Sequence, residues 1–254
     1  MNFLHAILLG IVQGITEWLP ISSSGHLVIF QHFFNITQPV IFDLFLHLGS
    51  LIVILIVFRK DIQLLIKGIL RRNPNYIRFL IYLVIASIPI ALVGYFLNDL
   101  IKSIFVDIKT VAFSLLITAF FLFMSKYPIK KTNNLNFLNS FIIGISQAIA
   151  ILPGASRSGL TISTGLIQGV KKRETVRFAF LMFIPAIIGA TLFELRNISQ
   201  ITNIPILLIG TLAAIISGIL SLKLLLFVIK KNKLRYFSYY CLALAVFLLI
   251  IAYI

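Results

Sequence analysis

Cysteine, tryptophan and acidic side chains are nearly absent from this 254-residue chain, which has one Cys, one Trp and seven Asp plus Glu. The lone Cys241 excludes an intrachain disulfide and any cluster built from cysteine ligands. Charge is scarce as well, at 11% of residues against 60% hydrophobic, with a mean hydropathy of +1.07. An ordinary soluble domain is excluded by that balance, and an integral membrane protein is expected. The acids are outnumbered by 22 Lys plus Arg, for a net charge of +15. Nucleic acid does not account for the surplus, because no basic face is interleaved with exposed aromatics. A secretory signal is not expected either: Met1 to Trp18 has no basic n-region and carries Glu17 within its apolar body.

Six apolar runs are long enough to span a bilayer, at about Val40 to Phe58, Phe79 to Leu97, Thr110 to Ser125, Phe178 to Phe193, Ile204 to Val228 and Tyr236 to Ile254. Two more, Phe3 to Phe34 and Phe137 to Val170, are interrupted near the middle by Pro, Ser and Gly. Their half-length helices fit re-entrant hairpins, which place irregular backbone at membrane depth only where protein or a wet cavity surrounds it. Of the 22 basic residues, 17 gather in four clusters: Arg59 to Arg78, Lys126 to Lys131, Lys171 to Arg177 and Lys230 to Arg235. All four share the cytoplasmic side only if Phe137 to Val170 enters and leaves by the same face. The first hairpin then dips in from outside, Asn35 to Pro39 is external, and so are both termini.

The halves are related. Gly10-Ile-Val-Gln13 matches Gly144-Ile-Ser-Gln147, and Pro20 with Ser23 matches Pro153 with Ser156, at an offset of about 133 to 134 residues. One hairpin plus three spans per half gives an odd number of crossings, which inverts the second half relative to the first. The expected fold is therefore an all-α polytopic membrane protein, with six transmembrane helices and two re-entrant helical hairpins arranged as an inverted-topology repeat. It is one membrane domain over residues 1–254, with repeats at about 1–130 and 131–254.

The hairpin tips carry the chemistry. Glu17, Ser23 and His26 from one tip are expected opposite Ser156, Arg157 and Thr161 from the other. A carboxylate and a guanidinium at membrane depth read as functional by default. With hydroxyls and helix N-termini they suit a phosphate, whose transfer depends on positioning and electrostatic stabilisation. Arg157 is the expected clamp, the rival being a plain pair with Glu17 across the repeat interface, with Ser156, Thr161 and N–H groups around Gly154 completing the cradle. Ser23 is placed to attack phosphorus, with His26 as base or acid, while Glu17 holds a divalent cation or activates the nucleophile. Gln13, one turn before Glu17, supports it. Mg²⁺ or Ca²⁺ suits a site of carboxylate plus phosphate oxygens.

At these residues the chain resembles the bacitracin-resistance type undecaprenyl-diphosphatases over nearly its whole length. The first signature reads here as Gln13 to Glu17 followed by Ser22-Ser23-Ser24-Gly25-His26, and the second as Pro153 to Thr161. The resemblance implies removal of one phosphate from the isoprenoid lipid undecaprenyl diphosphate, divalent-cation dependence, interlocked inverted repeats and a homodimer. It also implies a bacterial inner-membrane location with the site open to the outer face. Glu17, Ser23, His26 and Arg157 match the family's catalytic positions. Gln13 stands where many members carry Glu, which weakens any scheme that needs two carboxylates on the metal.

Ser22, Ser24, Gly25, Gly154 and Ser158 join the substrate-binding set, although Ser22, Ser24, Ser158 and Ser163 taken singly read more readily as helix packing or back-bonding than as catalytic groups. Asp43, near His47, is divided between a cavity role and an interfacial acid. The rival function is a transporter or flippase of phosphorylated lipid, since inverted repeats and broken helices also mark alternating access. A neighbouring nucleophile, histidine and carboxylate favour the enzyme.

Overall fold

The structure is a computed structural model describing residues 2–34, 39–97, 100, 107–129, 134–194 and 203–253. Its regular elements are, in chain order, α1 (Phe3–Trp18), α2 (Ser23–Phe34), α3 (Val40–Val57), α4 (Arg59–Leu70), α5 (Pro74–Phe96), α6 (Ile108–Met124), α7 (Phe137–Ile149), α8 (Arg157–Ile167), α9 (Lys172–Leu181), α10 (Phe183–Glu194), α11 (Ile204–Lys230) and α12 (Tyr236–Tyr253). No strand occurs among the described residues. Five stretches are apolar and long enough to cross a membrane: α3, α5, α9 running into α10 as far as Phe193, α11 and α12. The sixth expected run is α6, a shorter apolar helix of 17 residues. Residues 35–38, most of the expected outer segment, and 130–133, which include the repeat boundary and two of the basic residues, lie outside the described set.

Both interrupted runs fold as paired half-length helices, α1 with α2 and α7 with α8. Asn2 caps α1 by accepting from the His5 N–H at 2.8 Å, and Asn136 caps α7 in the same way at 2.9 Å. α1 stops where Leu19 turns extended ahead of Pro20, the conformation favoured for a residue before proline. The return helices begin on serine caps. Ser22 Oγ accepts the Gly25 N–H and Ser156 Oγ accepts the Gly159 N–H, each at 3.1 Å. These caps correct the expected register by one residue. Ser22, not Ser23, is the counterpart of Ser156, and Ser23 therefore corresponds to Arg157. The second turn holds one more residue between its proline and its cap, so aligning the prolines misaligns the helices that follow.

Contacts run across the halves. α1 packs along α11, α7 along α5, and α6 along α12. At Gly10 a Cβ would run into the Gly210 carbonyl on α11, and at Gly144 into the Ala86 backbone on α5. Each glycine thus lets a half-length helix lie close against a long helix from the other end of the chain. Ser221 reinforces the first contact by donating to the Ile15 carbonyl at 2.8 Å. Below the tips, Trp18 is buried against Phe180 and Phe183, with ring centroids 5.8 and 5.1 Å away. The first basic cluster includes a short helix, α4, whose Arg59, Lys60 and Lys67 share it with the exposed Leu64, Ile66 and Leu70.

Candidate active site

The tips meet as expected. The Gly154 N–H donates to Ser24 Oγ at 3.2 Å, joining the two turns. Gly154 has φ +89°, and a Cβ there would strike the Val111 backbone of α6. Both facts demand glycine. The Ser156 N–H donates to Thr118 Oγ1, also on α6, at 3.0 Å, which fixes where α8 starts.

Glu17, at the end of α1 and almost fully buried, is the centre of the site. Its Oε2 accepts from Ser23 Oγ at 2.6 Å and from Gln13 Nε2 at 3.0 Å. Its Oε1 lies 3.6 Å from Arg157 Nη2, and His47 Nε2 stands 4.0 Å from Oε2. Ser23 and Arg157, each the residue after a serine cap, therefore reach the same carboxylate from the two turns. Arg157 lies 4.4 Å over the Phe183 ring, a cation–π contact that helps hold the guanidinium in place. Its Nη1 is buried and has no hydrogen-bond partner among the described residues. A donor in that condition needs an acceptor, and a bound anion supplies one. A small cavity lined by Glu17, Trp18, Arg157, Ser158, Thr161 and Phe183 opens at this point.

His26 is placed differently from the expectation. Its Nδ1 bonds the Ser22 carbonyl oxygen and its Nε2 the Tyr240 hydroxyl, both at 2.7 Å. Both nitrogens are thus engaged away from Ser23. The group that receives the Ser23 hydroxyl is Glu17. Other expected members are nearby with narrower duties. Ser22 and Ser156 are buried caps whose Oγ atoms also lie 3.3 Å from Ser24 Oγ and 3.4 Å from Ser158 Oγ. Thr161 lines the cavity, while its hydroxyl donates to the Arg157 carbonyl at 2.8 Å and braces the first turn of α8. Gly25 lets the turns approach, because a Cβ there would sit 3.2 Å from Gly154 Cα.

Four contributors escaped the sequence reading: His47, Phe183, Thr118 and Tyr240. His47 carried a signal, a histidine inside an apolar span, and its ring is oriented by Nδ1 bonding the Asp43 carbonyl oxygen at 2.8 Å. Asp43 itself is half-buried one turn earlier on α3. Nothing local marks the other three.

A divalent cation can be tested against the donors present. No group of three or more His, Cys, Asp or Glu that could hold a metal occurs among the described residues. There is, however, one carboxylate, Glu17, and beside it Gln13 Oε1, a buried oxygen without a hydrogen-bond partner among the described residues. Two hard oxygen ligands fit a cation that completes its shell with water and substrate phosphate, and do not fit a self-sufficient cage.

Known proteins match nearly the whole chain. The family model described as "Bacitracin resistance protein BacA" matches residues 6–247. An undecaprenyl-diphosphatase of Halothermothrix orenii is 38% identical over 262 residues, covering 99% of both chains. One from Methanococcus vannielii is 41% identical over 246 residues, covering 96% of this chain and 98% of its own. One from Methanobrevibacter smithii is 41% identical over 261 residues, covering 95% of this chain and 94% of its own.

Proposed function

We infer the function of this chain from the family to which it belongs, the bacitracin resistance protein BacA family: it is a membrane phosphatase that hydrolyses undecaprenyl diphosphate to undecaprenyl phosphate and inorganic phosphate. That reaction recycles the lipid carrier of cell-wall synthesis and gives the family its bacitracin resistance. The observation that carries the mechanism is the 2.6 Å hydrogen bond from Ser23 to Glu17, set beside an arginine with an unused donor. A carrier would use the anion cradle but would leave that contact without a purpose.

In our reading the terminal phosphate enters the cavity and takes up Arg157 Nη1, along with first-turn N–H groups of α2 and α8 that have no acceptor within their helices. Ser23 Oγ attacks phosphorus as its proton passes to Glu17. The bond to the bridging oxygen breaks, undecaprenyl phosphate leaves, and water then releases phosphate from Ser23 by the same acid–base pair. Arg157 stabilises the charge that develops on the equatorial oxygens. Glu17 and Gln13 would hold the divalent cation, Mg²⁺ or Ca²⁺. When bound it supplies neutralisation of phosphate charge.

Six spans with two re-entrant hairpins, related as inverted repeats, remain our reading of the membrane arrangement. Its support is the pair of matching asparagine and serine caps, the equivalent glycines and the reciprocal packing of the halves. A homodimer in the bacterial inner membrane, with the site open to its outer face, completes the proposal.

The test is phosphate release from undecaprenyl diphosphate by purified protein in detergent, with and without chelator. Cation-dependent release by wild type and its loss in Arg157→Ala are expected. A folded wild-type protein that releases no phosphate under varied lipids and metals would overturn the reading in favour of a carrier.

A further inference from the structure

Two neighbours on the last helix hold the first hairpin tip. Tyr240 on α12 meets His26 Nε2 at 2.7 Å, with the two rings within 8° of parallel and their centroids 5.8 Å apart. The next residue, Cys241, is buried and donates to the Pro20 carbonyl at 3.4 Å. Pro20 and His26 bracket the turn that carries Ser22 and Ser23. Within it Ser22 has φ +72°, a left-handed conformation that a serine adopts only when its surroundings impose it. The imposing contacts are visible: the Ser22 carbonyl oxygen accepts from His26 Nδ1 at 2.7 Å and from the His26 backbone N–H at 3.3 Å.

The tautomer follows from the partners. A carbonyl oxygen can only accept, so Nδ1 carries the proton. In the neutral ring Nε2 must then accept, and Tyr240 Oη–H is the donor that satisfies it. Without that hydroxyl the ring is free to move its proton to Nε2. Nδ1 would then face the Ser22 carbonyl lone pair against lone pair, and the strained turn would lose its tie one residue before the nucleophile.

We propose that Tyr240 is a positioning residue for the phosphatase reaction: by fixing His26 as the Nδ1–H tautomer it holds the Ser22 turn, and with it Ser23 against Glu17. This rests on Ser23 acting as described above. Tyr240 touches neither the cavity nor Glu17 in the contacts of the site, so it acts through His26. Its loss should slow turnover without weakening substrate binding.

The test joins two measurements on the full-length protein in detergent. The ¹⁵N imidazole shifts of His26, assigned against a His26→Asn variant, should report the neutral Nδ1–H tautomer in wild type and a mixture in Tyr240→Phe. Phosphate release by Tyr240→Phe should show kcat lowered about ten-fold, the scale of losing a partner that orients a functional histidine, while KM holds. A wild-type His26 found as Nε2–H or imidazolium overturns the proposal without reference to any variant. So does a Tyr240→Phe protein with unchanged kcat, or with lowered kcat and an unchanged His26 tautomer. Absence of phosphate release from wild type would instead sink the phosphatase reading, and the wild-type tautomer would still be read on its own.

Discussion

Glu17 gathers Gln13 from its own helix, Ser23 from α2, His47 from α3 and Arg157 from α8 around one buried carboxylate. Such convergence makes it the residue whose chemistry is hardest to replace. Glu17→Gln keeps the shape but removes both the proton acceptor and the counter-charge of Arg157. The expected outcome is a fall in kcat of about 10² to 10⁴-fold, the usual worth of a positioned general base, together with a lower thermal midpoint. Arg157→Ala should lower kcat/KM at least about 10²-fold, as removal of one preorganised stabiliser does. Because the two act as a unit, the double variant should lose little more turnover than the worse single one, and steady-state kinetics on all four proteins checks this. Arg157→Lys should recover little, since an ammonium does not offer the planar fork of donors.

Each hairpin helix is set by what its glycines allow. Gly144→Val forces side-chain carbons into the Ala86 backbone, and Gly10→Val does the same against Gly210. Overpacking of this kind costs about 1 to 3 kcal/mol and more where backbone is the obstacle. Both variants should therefore melt well below wild type, and a comparable loss for the two would match their equivalent places in the repeat. Gly154→Ala combines left-handed strain with the Val111 backbone, so loss of activity with a lowered midpoint is expected there too. The interrupting prolines and the serine- and glycine-rich turns were legible in the sequence because they break the apolar runs locally. So was the meeting of the tips, through the repeat. The capping role of Ser22 and Ser156 and the contacts of Gly10 and Gly144 were not legible there and appear only in the fold. The register at the caps was not, because it depends on how many residues each turn absorbs. The partners of His26 were not either: Tyr240 lies 214 residues away in sequence, and only the packing of α12 against the tip brings it there.

Across the whole molecule, charge and connectivity make one claim about orientation that the scarcity of cysteine makes easy to test. Cys241 is fully buried and bonded to Pro20, so wild-type protein should resist a membrane-impermeant maleimide. Single cysteines can then be added at exposed helix ends without interference. If the basic clusters face the cytoplasm, α5 runs outward and α6 returns inward. Asn2→Cys and Asp107→Cys should label in intact cells, whereas Lys126→Cys and Lys233→Cys should label only after permeabilisation. This pattern follows from the second hairpin entering and leaving on one side. Were α7 and α8 together to cross fully, Lys126 and Lys233 would lie on opposite faces and only one of them would be protected. Labelling of one but not the other in intact cells would thus remove the re-entrant arrangement, and with it the inversion that brings Arg157 to Glu17 from the opposite tip.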